Sequence, residues 1–427
     1  MFGEMIRRVG FWTLDALKGG KVRTRMKHLK KVREDRRGNA EALEAILQHA
    51  IDTVPAYKNV KKAEISAFPV VSKVDYRNNF ESYRSELYLD ERGLHKVFTS
   101  GSTGTPFMAY QDQEKLLWHR AGLMNLNERI GWHLGDRFLF MRMWRGTHAN
   151  TPFARLVSNT VPIEVCGFDE EHAEQVRRRI LRDKKLCLIL GYASAVEILA
   201  KHILQAGDAP ADLGIRLVIA DSECLTDRAK TTIAKAFNCP VLDRYGNNEN
   251  GILGLTMDNS RVMEVNFPEY CMEILKLDSD MPAAQGELGR IVITDLYNKA
   301  FPFIRYDTGD VGIAAEMYGN QCLRLASLGG RSASVLTATD GAKIGETGVT
   351  SFFEDVVGIG RWQLAQTDVG RYELRLEDTD EQMDSILHQR CLNCFGADAQ
   401  VVIRHVEKVP QEKNGKYKIL VDEIGVY

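Results

Sequence analysis

The chain has 427 residues, with 56 Lys and Arg against 58 Asp and Glu for a formal net charge of −2, and 44% hydrophobic residues beside 27% charged ones. That balance leaves no global field for a polyanion, so nucleic acid is not an expected partner, and at roughly 150 residues per domain the length suggests two or three globular domains. The best apolar stretch, Leu186 to Ala200, is too short for a membrane span and carries Glu197.

Glu4, Arg7, Arg8 and Asp15 interrupt the amino terminus where a secretory signal would place its apolar region, so the chain is expected in the cytosol with its eight cysteines reduced. The one close cysteine pair, Cys391 and Cys394, lacks the further ligands of a zinc site and reads as two helix cysteines in a core. No HExxH, Walker GxxxxGK[ST] or complete GxGxxG is present.

From residue 1 to about 37 the chain is basic and helical, with Ile6, Val9, Trp12, Leu14 and Leu17 as an apolar stripe. A helix packed by that stripe is the commoner case, and a peripheral contact with the inner face of a membrane or with an assembly is the other. A strand-like run, Leu94 to Phe98, leads into Thr99-Ser100-Gly101-Ser102-Thr103-Gly104-Thr105-Pro106. Glycines there let backbone N–H groups converge on an anion while hydroxyls add donors, as holding a polyphosphate requires. A flexible surface loop would have the same composition.

The middle of the chain alternates strands and helices. Leu186 to Leu190 precedes a helix opened by the capping box Ser194-Ala-Val-Glu197 and closed near Gly207. Ile215 to Ala220 reads as a buried strand, followed by a helix capped by Thr226 and ended at Asn238, and then by a strand from Pro240 to Gly246. This order predicts an α/β fold, a parallel sheet with helices on both faces, with ligands beyond the carboxyl ends of the strands. Those ends carry Asp221-Ser222-Glu223-Cys224 and Tyr245-Gly246-Asn247-Asn248-Glu249. In the second segment either a flat ring would stack on Tyr245 and a carboxylate at Glu249 would hold magnesium, or the segment is a polar turn with one ordinary tyrosine.

Phe301 to Asp310 ends in Asp310 after a glycine, a placement that suits a carboxylate bonding vicinal ribose hydroxyls or an ordinary β-turn. Ser222, Glu223, Arg305 and Tyr306 read as a pocket rim, or equally as structural salt bridges and caps. His119, Trp144, Arg145 and His148 are candidates for a pocket taking a polar or anionic acid. After the Gly329-Gly330-Arg331 hinge candidate come short strands and one helix, Glu381 to Cys394. The expected division is therefore a large domain over 1–329 and a small, mobile α+β domain over 330–427, with Lys416 after a glycine near the end.

Taken in order, these segments resemble the adenylate-forming (ANL) superfamily. Thr99 to Pro106 is similar to its phosphate loop, Tyr245 to Glu249 to its aromatic-Gly-x-x-Glu segment, Tyr306 to Asp310 to its Tyr-x-Thr-Gly-Asp segment, and Gly415-Lys416 to its terminal Gly-Lys. Leu47 to Tyr57 and Phe68 to Lys73 resemble the phenylacetate-CoA ligase family. The basic start with Leu14 to Gly19, and the compact length, resemble its capsular-polysaccharide-type branch.

The resemblance implies that a carboxylate is activated with ATP and magnesium as an acyl-adenylate, and that the acyl group then passes to coenzyme A, a carrier thiol or an amine. Ser100 to Thr105 would hold the phosphates, Glu249 magnesium, Tyr245 adenine and Asp310 ribose. Lys416 would bridge the carboxylate and the α-phosphate, and Arg331 would belong to the hinge. Two alternatives stay open: transfer of AMP to a cofactor hydroxyl, and a nucleotide-binding scaffold without turnover. Ser332, Ala333 and Ser334 stand where the hinge usually carries one or two aspartates. Leu255 to Ser260 replaces the Cys/His cluster of some relatives, and Asn248 replaces a Ser or Thr.

Overall fold

The computed structural model describes residues 2–89, 92–98, 108–144, 151–331, 335–345, 349, 352–353, 356, 359–377, 379–410 and 418–424. The expected phosphate loop, Thr99 to Thr105, lies outside them, as do Arg145, His148 and Lys416.

The amino terminus forms helices α1 (Phe2–Leu17), α2 (Lys21–Asp35) and α3 (Ala40–Thr53). Strand β1 (Val71–Ser72) and helix α4 (Lys73–Asn78) follow, then a hairpin of β2 (His95–Phe98) and β3 (Met108–Gln111), and the long helix α5 (Gln113–Arg129). A β-α alternation comes next. It runs β4 (Arg137–Arg142), α6 (Pro152–Ser158), β5 (Thr160–Glu164), α7 (Glu170–Arg182) and β6 (Leu186–Tyr192). It continues through α8 (Ala193–Ala206), α9 (Pro210–Leu213), β7 (Leu217–Asp221), α10 (Asp227–Phe237) and β8 (Val241–Asn247).

Strands β5, β4, β6, β7 and β8 pair side by side in that order, all parallel. Their alternation drives the layering. Leu188, Leu190, Leu217 and Ile219 form one core with Leu126 of α5, whereas Ile189, Val218 and Val241 point the other way onto Ile180, Leu199, Ile233 and Phe237 of α7, α8 and α10. The Thr226 side chain accepts from the Ala229 N–H at 3.1 Å to start α10. Asn238 (φ 48°) and Gly207 (φ 75°) end α10 and α8 in the left-handed conformation.

The expected capping box at Ser194 does not form. Helix α8 starts at Ala193, and the Ser194 N–H donates to the Glu223 carboxylate at 2.9 Å, so a residue from the next strand's end supplies the cap.

Beyond β8 the same sheet turns antiparallel through β9 (Gly251–Thr256), β10 (Met263–Val265), β11 (Tyr270–Leu275), β12 (Leu288–Asp295), β13 (Tyr306–Tyr318) and β14 (Gln321–Arg331). Twelve strands result, in the order β1-β13-β12-β11-β14-β10-β9-β8-β7-β6-β4-β5. Gly329, Gly330 and Arg331 end strand β14 instead of forming a loop, with Arg331 opposite Asp310 in register. Buried beside β11 and β12 is an ionic cluster in which the Lys115 ammonium lies 2.6 Å from the Asp295 carboxylate, next to the equally buried Glu269.

Past Arg331 a small hairpin, β15 (Leu336–Thr337) and β16 (Lys343–Ile344), precedes β17 (Arg361–Asp368), β18 (Arg371–Glu377), α11 (Asp384–Phe395), β19 (Gln400–His405) and β20 (Leu420–Asp422). The last four strands form a separate sheet, β19-β18-β17-β20, with α11 packed on it. Cys391 and Cys394 lie on α11 inside that core, where burial pushes the Cys391 thiol up to about 12.

The helical expectation for the amino terminus holds, but α1 does not pack by its stripe. Ile6, Val9, Leu14 and Leu17 are exposed, and only Trp12 turns inward. Among the described residues no helix is long and apolar enough to cross a membrane.

Candidate active site

The carboxyl ends of β6, β7 and β8 open onto a cavity of about 590 Å³. Ser222, Gly246, Asn247 and Asn248 lie on its wall, with His119 of α5 and Arg142 of β4. Two strand-end segments far apart in sequence, Tyr245 to Glu249 and Tyr306 to Asp310, meet beside it.

The first segment is the turn of the β8–β9 hairpin, in which Asn247 pairs with Gly251. Asn247 closes the turn by accepting from the Asn250 backbone N–H at 2.9 Å and its side-chain amide at 3.0 Å. A Cβ at Gly246 would lie 2.4 Å from the Gly251 carbonyl oxygen. Gly251 itself has φ +111°, and its Cβ would fall 2.4 Å from the His119 ring, so both positions need glycine. The Asn248 amide donates to the Phe98 carbonyl at 3.1 Å, tying the turn to the last residue of β2.

Glu249 is 4% exposed, and its Oε1 accepts from the Tyr306 hydroxyl at 2.7 Å. Its other oxygen accepts no hydrogen bond from a described residue, and Gln111 donates to its carbonyl at 2.9 Å. In return, the Tyr245 hydroxyl donates to the Asp310 carboxylate at 2.8 Å. Each segment's tyrosine thus serves the other segment's acid. The Tyr245 ring is 6% exposed, packs in the core of the antiparallel half and does not line this cavity, so its face is not open for the stacking expected from the sequence.

The remaining candidates separate by environment. Ser222 holds φ +68°, a strained value for a residue with a side chain, at the cavity wall. Glu223 caps α8 and does not line this cavity. Arg305 is a buried structural residue, paired with Glu273 at 3.1 Å and donating to the Phe68 carbonyl at 3.0 Å. Asp310 begins the β13 side of the pairing with Arg331, whose backbone continues β14. The Trp144 indole donates to the Phe140 and Ile163 carbonyls at 3.2 and 3.1 Å and stays out of the cavity, which corrects its reading as a pocket residue.

His119 does line the cavity. Burial first, then the charges of Lys115 and Arg244, push its imidazole down to about 4, so it is neutral near neutral pH. Arg244 pairs with Asp221 at 2.7 Å. Arg142 is the cavity residue that sequence reasoning missed. Its guanidinium lies 5.1 Å from the Phe140 ring centroid, and its buried Nε finds no hydrogen-bond partner. The available signal was its position at the end of an apolar strand, two residues before Trp144. A second cavity, of about 540 Å³, lies between α8, α10 and the small domain, where Arg228 donates to the Gly360 carbonyl at 3.1 Å.

A buried carboxylate with one open oxygen suits a hard divalent cation such as magnesium, and the neighbouring Asp310 suits paired hydroxyls. Among the described residues no group of three or more His, Cys, Asp and Glu side chains forms a metal site of its own.

Residues 336–423 match the CapK C-terminal domain family. Over 391 residues the chain is 22% identical to protein CapK of Staphylococcus aureus, covering 86% of this chain and 82% of that one. Over 325 residues it is 26% identical to phenylacetate-coenzyme A ligase of Pseudomonas putida, covering 70% and 71%. Among solved structures it shares the fold of 2-hydroxyisobutyryl-CoA ligase in the postadenylation state in complex with 2-HIB-AMP, with a TM-score of 0.67, 15% identity, and 90% and 89% of the two chains covered. With two of the motif segments joined beside one cavity and these relatives spanning most of its length, the chain is similar to CapK and to the phenylacetate-CoA ligases, and its residues 336–423 carry the CapK C-terminal domain.

Proposed function

We propose that the protein activates a carboxylic acid with ATP, giving an acyl-adenylate and pyrophosphate, and then passes the acyl group to coenzyme A, a carrier thiol or an amine. The observation that carries this reading is the reciprocal pairing of Tyr306 with Glu249 and of Tyr245 with Asp310 beside a cavity large enough for a small organic acid. Adenylation is an in-line displacement at phosphorus, in which positioning and charge stabilisation do most of the catalysis.

Glu249, with its open oxygen, would hold magnesium, which supplies positive charge to the phosphate oxygens. Asp310, held by Tyr245, would accept from the ribose hydroxyls. Gly246 and Asn247, on the cavity wall, border the adenine. The hydroxyl loop Thr99 to Thr105, whose preceding residue Phe98 is tied to Asn248, is assigned to the phosphates on the strength of the family resemblance. Lys416, from the small domain spanning 330–427, is assigned on the same ground to the α-phosphate, and Arg331 to the hinge.

The acid itself carries a second polar or anionic group. The cavity holds the Arg142 guanidinium, with no carboxylate partner among the described residues, and the neutral His119, a pairing suited to a carboxylate or hydroxyl on the substrate's far end. The branch resemblance supports a place for the product in polysaccharide assembly.

The test is pyrophosphate exchange into ATP with magnesium and pooled carboxylates, without thiol. Exchange with a pool of hydroxy, keto or dicarboxylic acids is the expected result. Silence in every pool, with ATP binding intact by thermal shift, would refute the ligase reading.

A further inference from the structure

Helix α1 is built inside out. Ordinarily a surface helix turns its apolar stripe to the core and its charges to water. On α1, Met5, Ile6, Val9, Leu14 and Leu17 are between 55% and 79% exposed. At about 100° per residue these five fall within one half of the helix circumference. Gly3, Gly10, Thr13 and Ala16 occupy the same half, so no charge interrupts it.

The charged side chains occupy the other half and are spent on the protein itself. Arg7 donates to the Leu156 carbonyl at 2.9 Å and Arg8 to the Leu134 carbonyl at 3.4 Å. Asp15 accepts from the Val22 and Arg23 N–H groups at 2.9 and 3.1 Å, capping α2. The helix is seated firmly: a Cβ at Gly135 would lie 2.7 Å from the Glu4 carbonyl oxygen. Leu156 and Val157 of α6, 64% and 57% exposed, extend the apolar surface beside it.

Charge identifies the occupant. Residues 1–37 hold twelve Lys and Arg against four Asp and Glu, a net +8 in a chain whose total is −2, so the remainder carries −10. Lys21, Lys27, Lys30 and Lys31 are exposed on α2, the helix that follows α1 in the chain. Arg25, Arg33 and Arg36 pair with Glu114, Glu264 and Glu316 from outside the segment, which still leaves a cationic surplus, 8 − 3 = +5, and a second copy docking by the same face would set two such segments against each other, because a twofold interface is self-complementary. An anionic bilayer meets both features at once, taking up the apolar side chains while its headgroups attract the lysines. At 16 residues α1 is about 24 Å long, suited to lying in the interface.

We propose that the exposed half of α1, together with the exposed lysines of α2, docks the protein onto anionic lipid. The turn that seats α1, Leu134 to Asp136, also lines the 590 Å³ cavity, so docking sets one wall of the cavity close to the bilayer surface.

Flotation of the full chain with vesicles tests this. The protein is expected to float with vesicles of phosphatidylglycerol and phosphatidylcholine at low salt, to float weakly with phosphatidylcholine alone, and to be released by high salt. The double variant Ile6→Asp/Val9→Asp is expected to lower the bound fraction at least about tenfold with the thermal melt unchanged. Lys27→Glu/Lys31→Glu, which leaves the apolar face intact, is expected to weaken only binding to the anionic vesicles. Absence of flotation with anionic vesicles would overturn the proposal. So would light scattering that shows a dimer dissociated by Ile6→Asp/Val9→Asp.

Discussion

Replacing Tyr306 by phenylalanine removes one hydroxyl that is fully inside the protein and donates to the Glu249 carboxylate at 2.7 Å. A hydrogen bond to a buried charged group contributes about 1.5–3 kcal/mol, and an acceptor left without its donor inside the protein bears the desolvation cost. If Glu249 holds magnesium for ATP, that loss corresponds to roughly a 10- to 150-fold weaker response. The measurement is the magnesium midpoint of the ATP-dependent thermal shift, and then of pyrophosphate exchange once the acid is known. Tyr245→Phe, which removes one hydrogen bond to Asp310, should raise the ATP requirement and leave the magnesium midpoint in place. A double-mutant cycle isolates the link. In a Glu249→Gln background the further change Tyr306→Phe should cost little, because the charged acceptor is already gone. Equal costs in the two backgrounds, or a shift of the same parameter by Tyr245→Phe and Tyr306→Phe, would refute the division of labour assigned to the two segments.

Gly251→Ala should destabilise the protein by about 2–5 kcal/mol and lower its melting temperature, since it combines a positive φ with a Cβ against the His119 ring; a wild-type melt would show that the turn relaxes freely. Glu269 is held up to about 7 from 4.5 by burial, with the Asp295 charge adding to it. The folded state therefore keeps this proton where the unfolded chain has lost it, and stability falls as pH rises from about 4.5 to 7. Glu269→Gln should match the wild type near pH 4 and exceed it by up to about 3 kcal/mol above pH 8; parallel melts across that range decide it. Lys416→Ala should lower adenylation roughly 10²- to 10³-fold while sparing thioester formation from a supplied adenylate, and untouched pyrophosphate exchange would remove Lys416 from the mechanism.

The parallel half of the sheet was legible because its signals are local. Buried strands show as apolar runs, and Thr226, Gly207 and Asn238 act on backbone groups a few residues away. The capping box at Ser194 failed for the opposite reason, since its N–H is satisfied by Glu223, 29 residues along the chain. Arg305 read equally as a pocket rim or as a salt bridge by its place before Tyr306, and the strand arrangement decides for the salt bridge by bringing Glu273 to it. The candidate site followed the same rule. Glu249 and Asp310 stood out by motif, whereas the tyrosine each depends on belongs to the other segment, 57 and 65 residues away, and only folding sets them together. Arg142 escaped because a strand-end arginine carries no local mark of being left unpaired.

The contact between His119 and Gly251 bears on how this protein's choice of acid can change. His119 forms part of the cavity wall, and its ring leaves no room for even one added carbon at the turn that carries Glu249. Larger side chains at residue 119 would press on the Gly251 turn, so evolution or redesign can enlarge this side of the cavity only by subtraction. Smaller residues at 119 would admit bulkier acids while the turn stays seated. Acids smaller than the present one must instead be accommodated by filling from the β4 side, around Arg142, away from the Gly251 turn.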